Sequence, residues 1–363
     1  MRKLASIQTI DDINPIEGAD NIVVASVLGW KVVVRKGEFN PGDTCVYVEI
    51  DSLLPIRPEF EFLRKNCYRK LEDGTEWFRI KTCKLRKQIS QGICFPLTIL
   101  PRKYKDIHSD ENFTLKDDYI EDEDVTDILG IIKYDPPVKG ESTSGYIRQF
   151  PSFIHKTDET RIQSVPDVVW ELLGHDVYIS TKVDGTSATY YVNGEESGVC
   201  SHNFKMDDGD NIYWKIEKEL HIIDKLKKIQ ETTFNGYKNF AIQGEIAGPG
   251  IQKNRLKLET CNLFVFNVYC IDTGRHLAYH DFRKFCEEVD LDTVPIDSDD
   301  INFNDQLCPV DTLIEMARGK YLGTTNNREG IVIRPIDEMY SNILRGRMSF
   351  KVVNNDYLMK EEE

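Results

Sequence analysis

Residues 176–194 read Asp176-Val-Tyr-Ile-Ser-Thr181, Lys182-Val183-Asp184-Gly185, Thr186-Ser-Ala-Thr-Tyr-Tyr-Val192, then Asn193-Gly194. The first and third pieces alternate between apolar and polar side chains, the period of two that marks a strand with one face buried. Asn-Gly is a strong hairpin signal, because both central positions of the tight turn need positive φ. Two strands therefore flank a short turn at 182–185, and a third follows the hairpin at 198–201, which makes an antiparallel meander. Working outward, Ile212, Ile216, Leu220, Ile223 and Leu226 stand at helical spacing over 211–229, as do Phe282, Phe285, Cys286 and Val289. Further strands are expected at 240–245, 263–271, 330–334 and 348–353. Antiparallel strands with helices packed outside them predict an α+β domain.

Residues before about 100 follow another pattern. Short alternating segments at 4–10, 22–28, 31–34, 44–50, 78–82 and 92–96 are broken by turn residues such as Asn40-Pro41-Gly42-Asp43 and Glu72-Asp73-Gly74. Five or six short strands with little helix predict a small closed β-barrel, and the OB-fold is the common barrel of that size that binds oligonucleotides. A purely structural barrel is the alternative. Between them, 105–149 is acidic and turn-rich, with Asp117-Asp118, Glu121-Asp122-Glu123-Asp124 and Asp135-Pro136-Pro137, and reads as an exposed linker without chemistry. The expected division is 1–104, barrel; 105–149, acidic linker; 150–363, α+β domain.

The formal net charge of −15 argues at first against a nucleic-acid partner. Its distribution changes that reading. Residues 1–105 carry 18 Lys and Arg against 13 Asp and Glu, a net +5, so the remainder carries −20. Arg79, Lys81, Lys84, Arg86 and Lys87 cluster in the first domain and suit phosphate contact, although a solvated basic face has the same composition. Nine cysteines without a C-x-x-C pair read as reduced thiols rather than a zinc site, and fit an intracellular, reducing compartment, cytoplasmic or nuclear. No apolar run approaches the roughly 20 residues of a membrane helix, and the polar start of the chain reads as lacking a secretory signal. No membrane partner and a monomer are expected.

Lys182-Val-Asp-Gly places an amine at the edge of a turn between two strands. Alone it is weak, because three fixed positions arise by chance roughly one time in twenty in a chain this long, and a surface lysine in a β-turn looks the same. The later stretches decide: Gln243-Gly244-Glu245, Phe264-Val-Phe-Asn-Val-Tyr269, Glu329-Gly330-Ile331-Val332-Ile333 and Ser349-Phe350-Lys351-Val352 follow it in order. This series resembles the motifs of the covalent nucleotidyltransferase superfamily of DNA ligases, RNA ligases and capping enzymes. Phe150-Pro-Ser-Phe-Ile-His-Lys-Thr-Asp-Glu-Thr-Arg-Ile-Gln163 and Ser201-His202-Asn203, with a barrel in front, narrow the resemblance to ATP-dependent RNA ligases of the Naegleria/Deinococcus type.

The resemblance implies an N-terminal OB-fold followed by an antiparallel-sheet nucleotidyltransferase domain, ATP and Mg²⁺ or Mn²⁺ as cofactors, and RNA ends or nicked duplex as partner. It implies Lys182 as the nucleophile that takes AMP, with Asp184 organising metal-bound water or the lysine. Glu245 would accept from the ribose hydroxyls, Phe266 would stack on adenine, Glu329 would hold the divalent ion through water, and Lys351 would touch the α-phosphate. Arg161 matches an arginine of the block before the lysine, suited to phosphate by its fork. His202 and Asn203 would meet RNA, with His202 standing where ligases usually carry Arg. Ser349 departs from a frequent K-x-K pattern, and Arg345 or Arg347 is the candidate substitute. DNA ligase, capping enzyme and a catalytically decayed RNA-binding protein are the rival readings; the first two generally carry their OB domain after the catalytic one.

Overall fold

The computed structural model describes residues 3–71, 73–101, 119–134 and 147–361. They divide into two compact units, one of residues 1–137 with 359–363, the other of residues 138–358.

The first unit is built from β1 (Ala5–Thr9), β2 (Asp12–Pro15), β3 (Ile22–Val27), β4 (Trp30–Arg35), β5 (Thr44–Val48), β6 (Ser52–Pro55), β7 (Tyr68–Lys70), β8 (Glu76–Arg79), β9 (Cys83–Leu85), β10 (Gln88–Ser90), β11 (Ile93–Phe95) and β12 (Ile132–Lys133). They pair in the orders β1-β5-β11, β2-β3-β4, β12-β6-β8-β7 and β10-β9. Trp30, Tyr47, Phe60 and Phe78 are fully buried among them. All six segments expected from alternation carry a strand.

The linker expected at 105–149 is corrected where it is described. Val125 and Leu129 are 0% and 1% exposed, β12 pairs with β6, and the Ile7 N–H donates to the Glu123 carbonyl at 3.0 Å. The acidic residues occupy the turn at 121–124, while Tyr119, Val125, Leu129 and Ile131 between and beyond them are buried. A charge count over the whole segment averages these two classes and so misses its apolar anchors. Asp117, Asp118, Asp135, Pro136 and Pro137 lie outside the described residues.

The second unit continues with β13 (Ile147–Gln149), β14 (Thr160–Arg161), β15 (Asp176–Lys182), β16 (Thr186–Asn193), β17 (Glu196–Cys200), β18 (Phe204–Met206), β19 (Phe240–Ala247), β20 (Asn262–Cys270), β21 (Arg275–His276), β22 (Ile296–Asn302), β23 (Gly330–Pro335), β24 (Tyr340–Ser341), β25 (Gly346–Arg347) and β26 (Phe350–Val353). A seven-stranded sheet runs β13-β18-β17-β16-β19-β20-β21, and a five-stranded sheet runs β14-β26-β23-β15-β22. Within these two sheets the pairs are antiparallel except β14 with β26. Helices Ile212–Leu220, Ile222–Thr232 and Tyr279–Glu288 bury their apolar faces on the larger sheet, and helix Val310–Ala317 does so on the smaller.

The helical run expected over 211–229 is two helices. His221 takes the left-handed conformation at φ 53°, and the buried Glu217 carboxylate accepts from the Ile222 and Ile223 N–H groups at 2.8 and 3.2 Å. That carboxylate satisfies two otherwise orphaned donors at the start of the second helix. The apolar spacing continues through the break because both helices pack on one sheet.

Candidate active site

The two sheets are joined by the Lys182 segment. β15 ends at Lys182 in the five-stranded sheet, and β16 begins at Thr186 in the seven-stranded one. The three residues between them carry the chain from one sheet to the other, so the lysine stands where the sheets diverge. Gly185 is required by space: a Cβ there would lie 2.2 Å from the Ile246 carbonyl oxygen and 2.9 Å from Glu245 Cγ. The same holds at Gly330, where a Cβ would lie 2.1 Å from the Val352 carbonyl oxygen. Both glycines allow close approach of backbone rather than merely a turn.

A cleft of about 790 Å³, counting its open mouth, is lined from both sheets. Ser180, Thr181 and Lys182 come from β15, Val332 and Arg334 from β23, and Lys351 from β26; Ser187, Glu245 and Phe266 face them from β16, β19 and β20. Phe266 owes its position to a β-bulge. Gln243 pairs with Asn267 but Gly244 pairs with Val265, so Phe266 is the extra residue. Leu263 and Val265 before it, and Val268 and Cys270 after it, all reach the same core, which is the one-residue phase shift a bulge produces.

Lys182 Nζ donates to Glu329 Oε2 at 2.8 Å, and both side chains are largely buried. Burial works against the ammonium charge, but the carboxylates of Glu329, Glu245 and Asp184 outweigh it and hold the lysine above its ordinary pKa. Burial also pushes Glu245 up to about 8, with repulsion from Glu329 and Asp184 adding to it against the pull of Lys182. Asp184 is pushed up to about 6 by burial and the Glu329 charge. One lysine thus stands among three carboxylates, of which Asp184 has a second cation, Arg255, beside it.

Among the residues singled out in the sequence, Lys182, Glu245, Phe266, Lys351 and His202 line the cleft. Glu329 joins it through Lys182. Asp184 is not in the lining; its carboxylate lies 3.3 Å from Arg255 Nε, both side chains being 8% exposed. Arg161 is also outside the lining, on β14 in register with Lys351. His202 Nε2 lies 3.5 Å from Asp158 Oδ1, and exposed Asn203 accepts from Lys156 Nζ at 3.1 Å. Arg347 pairs with Glu338 and Asn267, and Arg345 is exposed outside the lining, so neither takes a place in the cleft beside Ser349.

In the first unit, Lys84, Arg86 and Lys87 are exposed on the β9–β10 hairpin and Lys81 is half-buried just before it. Arg79 is occupied elsewhere, 3.3 Å from Asp51 and stacked 3.9 Å from the Tyr134 ring.

Sequence reasoning missed Arg334 and Glu159. Arg334 is 2% exposed and donates to Glu159 Oε1 at 2.8 Å, Ser349 Oγ at 2.8 Å and the Phe266 carbonyl at 3.1 Å. Burial opposes its charge, but the Tyr178 and Glu159 oxygens beside it raise its pKa further. Ser349 therefore accepts from an arginine at a position where a lysine would set two cations side by side. The signal available was strand alternation, which puts Arg334 on the face of Val332. Arg255 sits in an irregular loop and gave no such signal.

The fold matches known proteins. A family model for an OB-fold domain matches residues 4–97, and one for RNA ligase matches residues 175–353. Comparison with curated protein sequences returned no match. Among solved structures, a mutant Naegleria gruberi RNA ligase with AMP and Mn is 32% identical, with 100% of both chains covered and a TM-score of 0.86. Another mutant of that ligase, with ATP and Mn, is 32% identical over 99% of this chain and 100% of that one, at a TM-score of 0.85. The Naegleria gruberi RNA ligase with PPi is 33% identical over 100% of this chain and 99% of that one, at 0.84. With this identity sustained along the whole chain, and an OB-fold domain preceding the ligase domain in both sequence and structure, the chain belongs to the RNA ligase family.

Proposed function

We propose that this chain is an ATP-dependent RNA ligase that joins a 3′-hydroxyl to a 5′-phosphate through AMP carried on Lys182. The observation that carries this reading is the lysine amine in a cleft at the junction of two sheets, 2.8 Å from Glu329 and facing Glu245 and Phe266. Three transfers follow. The neutral Lys182 amine attacks the α-phosphorus of ATP; a phosphorus–nitrogen bond forms, the bond to the bridging oxygen breaks, and pyrophosphate leaves. An RNA 5′-phosphate oxygen then takes the AMP and frees the lysine. The 3′-hydroxyl attacks that 5′-phosphorus and displaces AMP. Such steps need in-line positioning and charge neutralisation more than acid–base groups.

Each residue has a task its chemistry allows. Phe266 offers a flat apolar face to adenine. Glu245 reaches the ribose hydroxyls, and Lys351 compensates charge on the α-phosphate. Glu329 Oε2 holds the Lys182 proton until the amine is needed. Lys81, Lys84, Arg86 and Lys87 offer the OB-fold domain phosphate contacts, and His202 and Asn203 offer the catalytic domain polar ones.

The site's chemistry fits a hard divalent cation, Mg²⁺ or Mn²⁺. Among the described residues no group of three or more His, Cys, Asp or Glu could hold a metal ion. Hard divalent ions at phosphate sites instead use one or two carboxylates with substrate oxygens and water, a set that Glu329 and ATP would supply, with Asp184, paired with Arg255 outside the lining, reaching the ion only through water. The crowding of three carboxylates around one lysine asks for added positive charge. When bound, the cation neutralises the carboxylates and the polyphosphate, which lowers the pKa of Lys182 and returns Glu245 to an ionised acceptor. Among the described residues no helix is long and apolar enough to cross a membrane. All nine cysteines are free, which supports a reducing, intracellular setting.

The test is incubation with ATP labelled at the α-phosphate, followed by a denaturing gel. A labelled band at the protein's mass that needs a divalent ion, and is absent in Lys182→Met, is expected. Labelling that survives the substitution would remove Lys182 from its role.

A further inference from the structure

We propose that Tyr321 is the positioning residue of the nucleophile: a single phenol hydroxyl ties Lys182 and Glu329 into one rigid piece. The inference rests on the reading of Lys182 as the group that takes AMP. Tyr321 stands in the connection between helix Val310–Ala317 and β23, and its side chain reaches back to the segment that joins the two sheets. Its hydroxyl donates to the Lys182 carbonyl oxygen at 3.0 Å and accepts from the Asp184 N–H at 3.0 Å and the Glu329 N–H at 3.1 Å. A phenol has one hydrogen to give and two lone pairs to fill, so these three bonds use its whole capacity.

A phenol keeps its hydrogen at neutral pH, as the donor to Lys182 requires. Tyr321 is 4% exposed whereas the next residue, Leu322, is 97% exposed, so the Tyr321 side chain turns inward at an otherwise open apex. Its backbone is held too: the Tyr321 N–H donates to the Asn326 carbonyl at 3.1 Å, and Asn326 Nδ2 donates to the carbonyl of Arg255, the partner of Asp184, at 2.6 Å.

The three groups bound to the hydroxyl belong to Lys182 itself and to Asp184 and Glu329, two of the three acids around its amine. Gly330, beside Glu329, already pairs in the sheet with Lys182, which fixes the strands side by side. That pairing leaves the two residues beyond it, Asp184 and Glu329, outside the ladder. Tyr321 supplies the bonds the sheet does not, and so sets where the carboxylate stands relative to the amine. A merely structural tyrosine would stabilise the fold; a positioning one sets the rate of the step without touching ATP, since it is not among the residues lining the cleft.

The test is single-turnover adenylylation of the full chain with Tyr321→Phe, which removes one oxygen. The rate at saturating ATP should fall by about ten- to a hundredfold, the range of a small misplacement of reacting groups. The ATP concentration for half-maximal rate should stay within about twofold, because binding energy shared by ground and transition states is untouched. Leu322→Ala should change neither. A folded Tyr321→Phe protein with the unsubstituted rate, or with only a raised ATP requirement, overturns the proposal. Amide exchange of the unsubstituted protein gives an answer that needs no variant: the Asp184 and Glu329 N–H groups should exchange as slowly as those of β15, and exchange as fast as at Leu322 overturns it. Failure of the unsubstituted protein to take label is a different result, and removes the nucleophile assignment itself.

Discussion

Lys182 Nζ lies 2.8 Å from Glu329 Oε2, and the two residues reach each other from the end of β15 and from just before its neighbour β23 in the smaller sheet, 147 positions apart in the chain. The pair has a kinetic consequence. Surrounding carboxylates hold the lysine above its ordinary pKa, so the amine is charged at neutral pH and must lose a proton before it can attack. Adenylylation should rise with pH across the neutral range, and its midpoint should move to lower pH as the divalent ion is raised. Rates of lysine labelling at graded pH and two metal concentrations measure this. A rate indifferent to pH would mean that amine ionisation does not limit the step.

Replacement of Glu329 or Lys351 by Ala should cut adenylylation by roughly a hundredfold or more, the scale of removing one preorganised electrostatic stabiliser. The gel that detects labelled protein reads both. Full labelling of a folded Glu329→Ala protein would end its assignment to metal and lysine.

Glu245 and Asp184 also give the ligand-free fold a pH dependence. Their pKa values are raised in the folded state, so folding favours their protonated forms. That contribution is complete below the ordinary carboxylate range and is lost as pH rises through about 6 for Asp184 and about 8 for Glu245. The ligand-free protein should therefore soften at alkaline pH, and Glu245→Gln should raise its melting temperature there, by about 2–4 °C for each kcal/mol of strain relieved. The same variant should bind ATP less well, a trade of function for stability. Calorimetry at two pH values decides it, and a variant less stable than the parent at alkaline pH would contradict the assignment.

Arg334→Met should destabilise the protein by about 3–5 kcal/mol, because it strands the largely buried Glu159 carboxylate and takes a hydrogen-bond donor from Ser349. Denaturant unfolding measures the loss. A change under about 1 kcal/mol would show that Glu159 is rehydrated at little cost.

Removal of residues 1–137, the first compact unit save for the last five residues of the chain, should leave Lys182 able to accept AMP while sealing of nicked RNA collapses. Neutralising Lys81, Lys84, Arg86 and Lys87 should flatten the salt dependence of RNA binding, by about one unit of slope for every phosphate that no longer meets a cation. Equal sealing by a folded truncation and the full chain would move RNA recognition into the catalytic domain, with His202 and Asn203 next to be tested.

The sequence by itself determined most of the longer strands, because alternation and Asn-Gly chemistry act within a few residues, but it left unread short strands such as β9 and β10 and the seven-residue β22, whose side chains are largely polar. It also marked Lys182, Glu245, Phe266, Glu329 and Lys351 as belonging together, through the order of short motifs. Long-range packing decided the rest. That the Lys182 segment crosses between two sheets, that Gly185 is there because Ile246 leaves no room for a Cβ, and that Phe266 is aimed by a bulge all depend on strands far apart in sequence. The described part of the supposed linker is folded because a few apolar side chains find a core that composition does not reveal. Arg334, Arg255 and Tyr321 carry no local signature, since an arginine or tyrosine in a strand or loop is ordinary until its partners are in place. Their roles come from hydrogen bonds and ion pairs whose two ends only the tertiary structure brings within 3.3 Å.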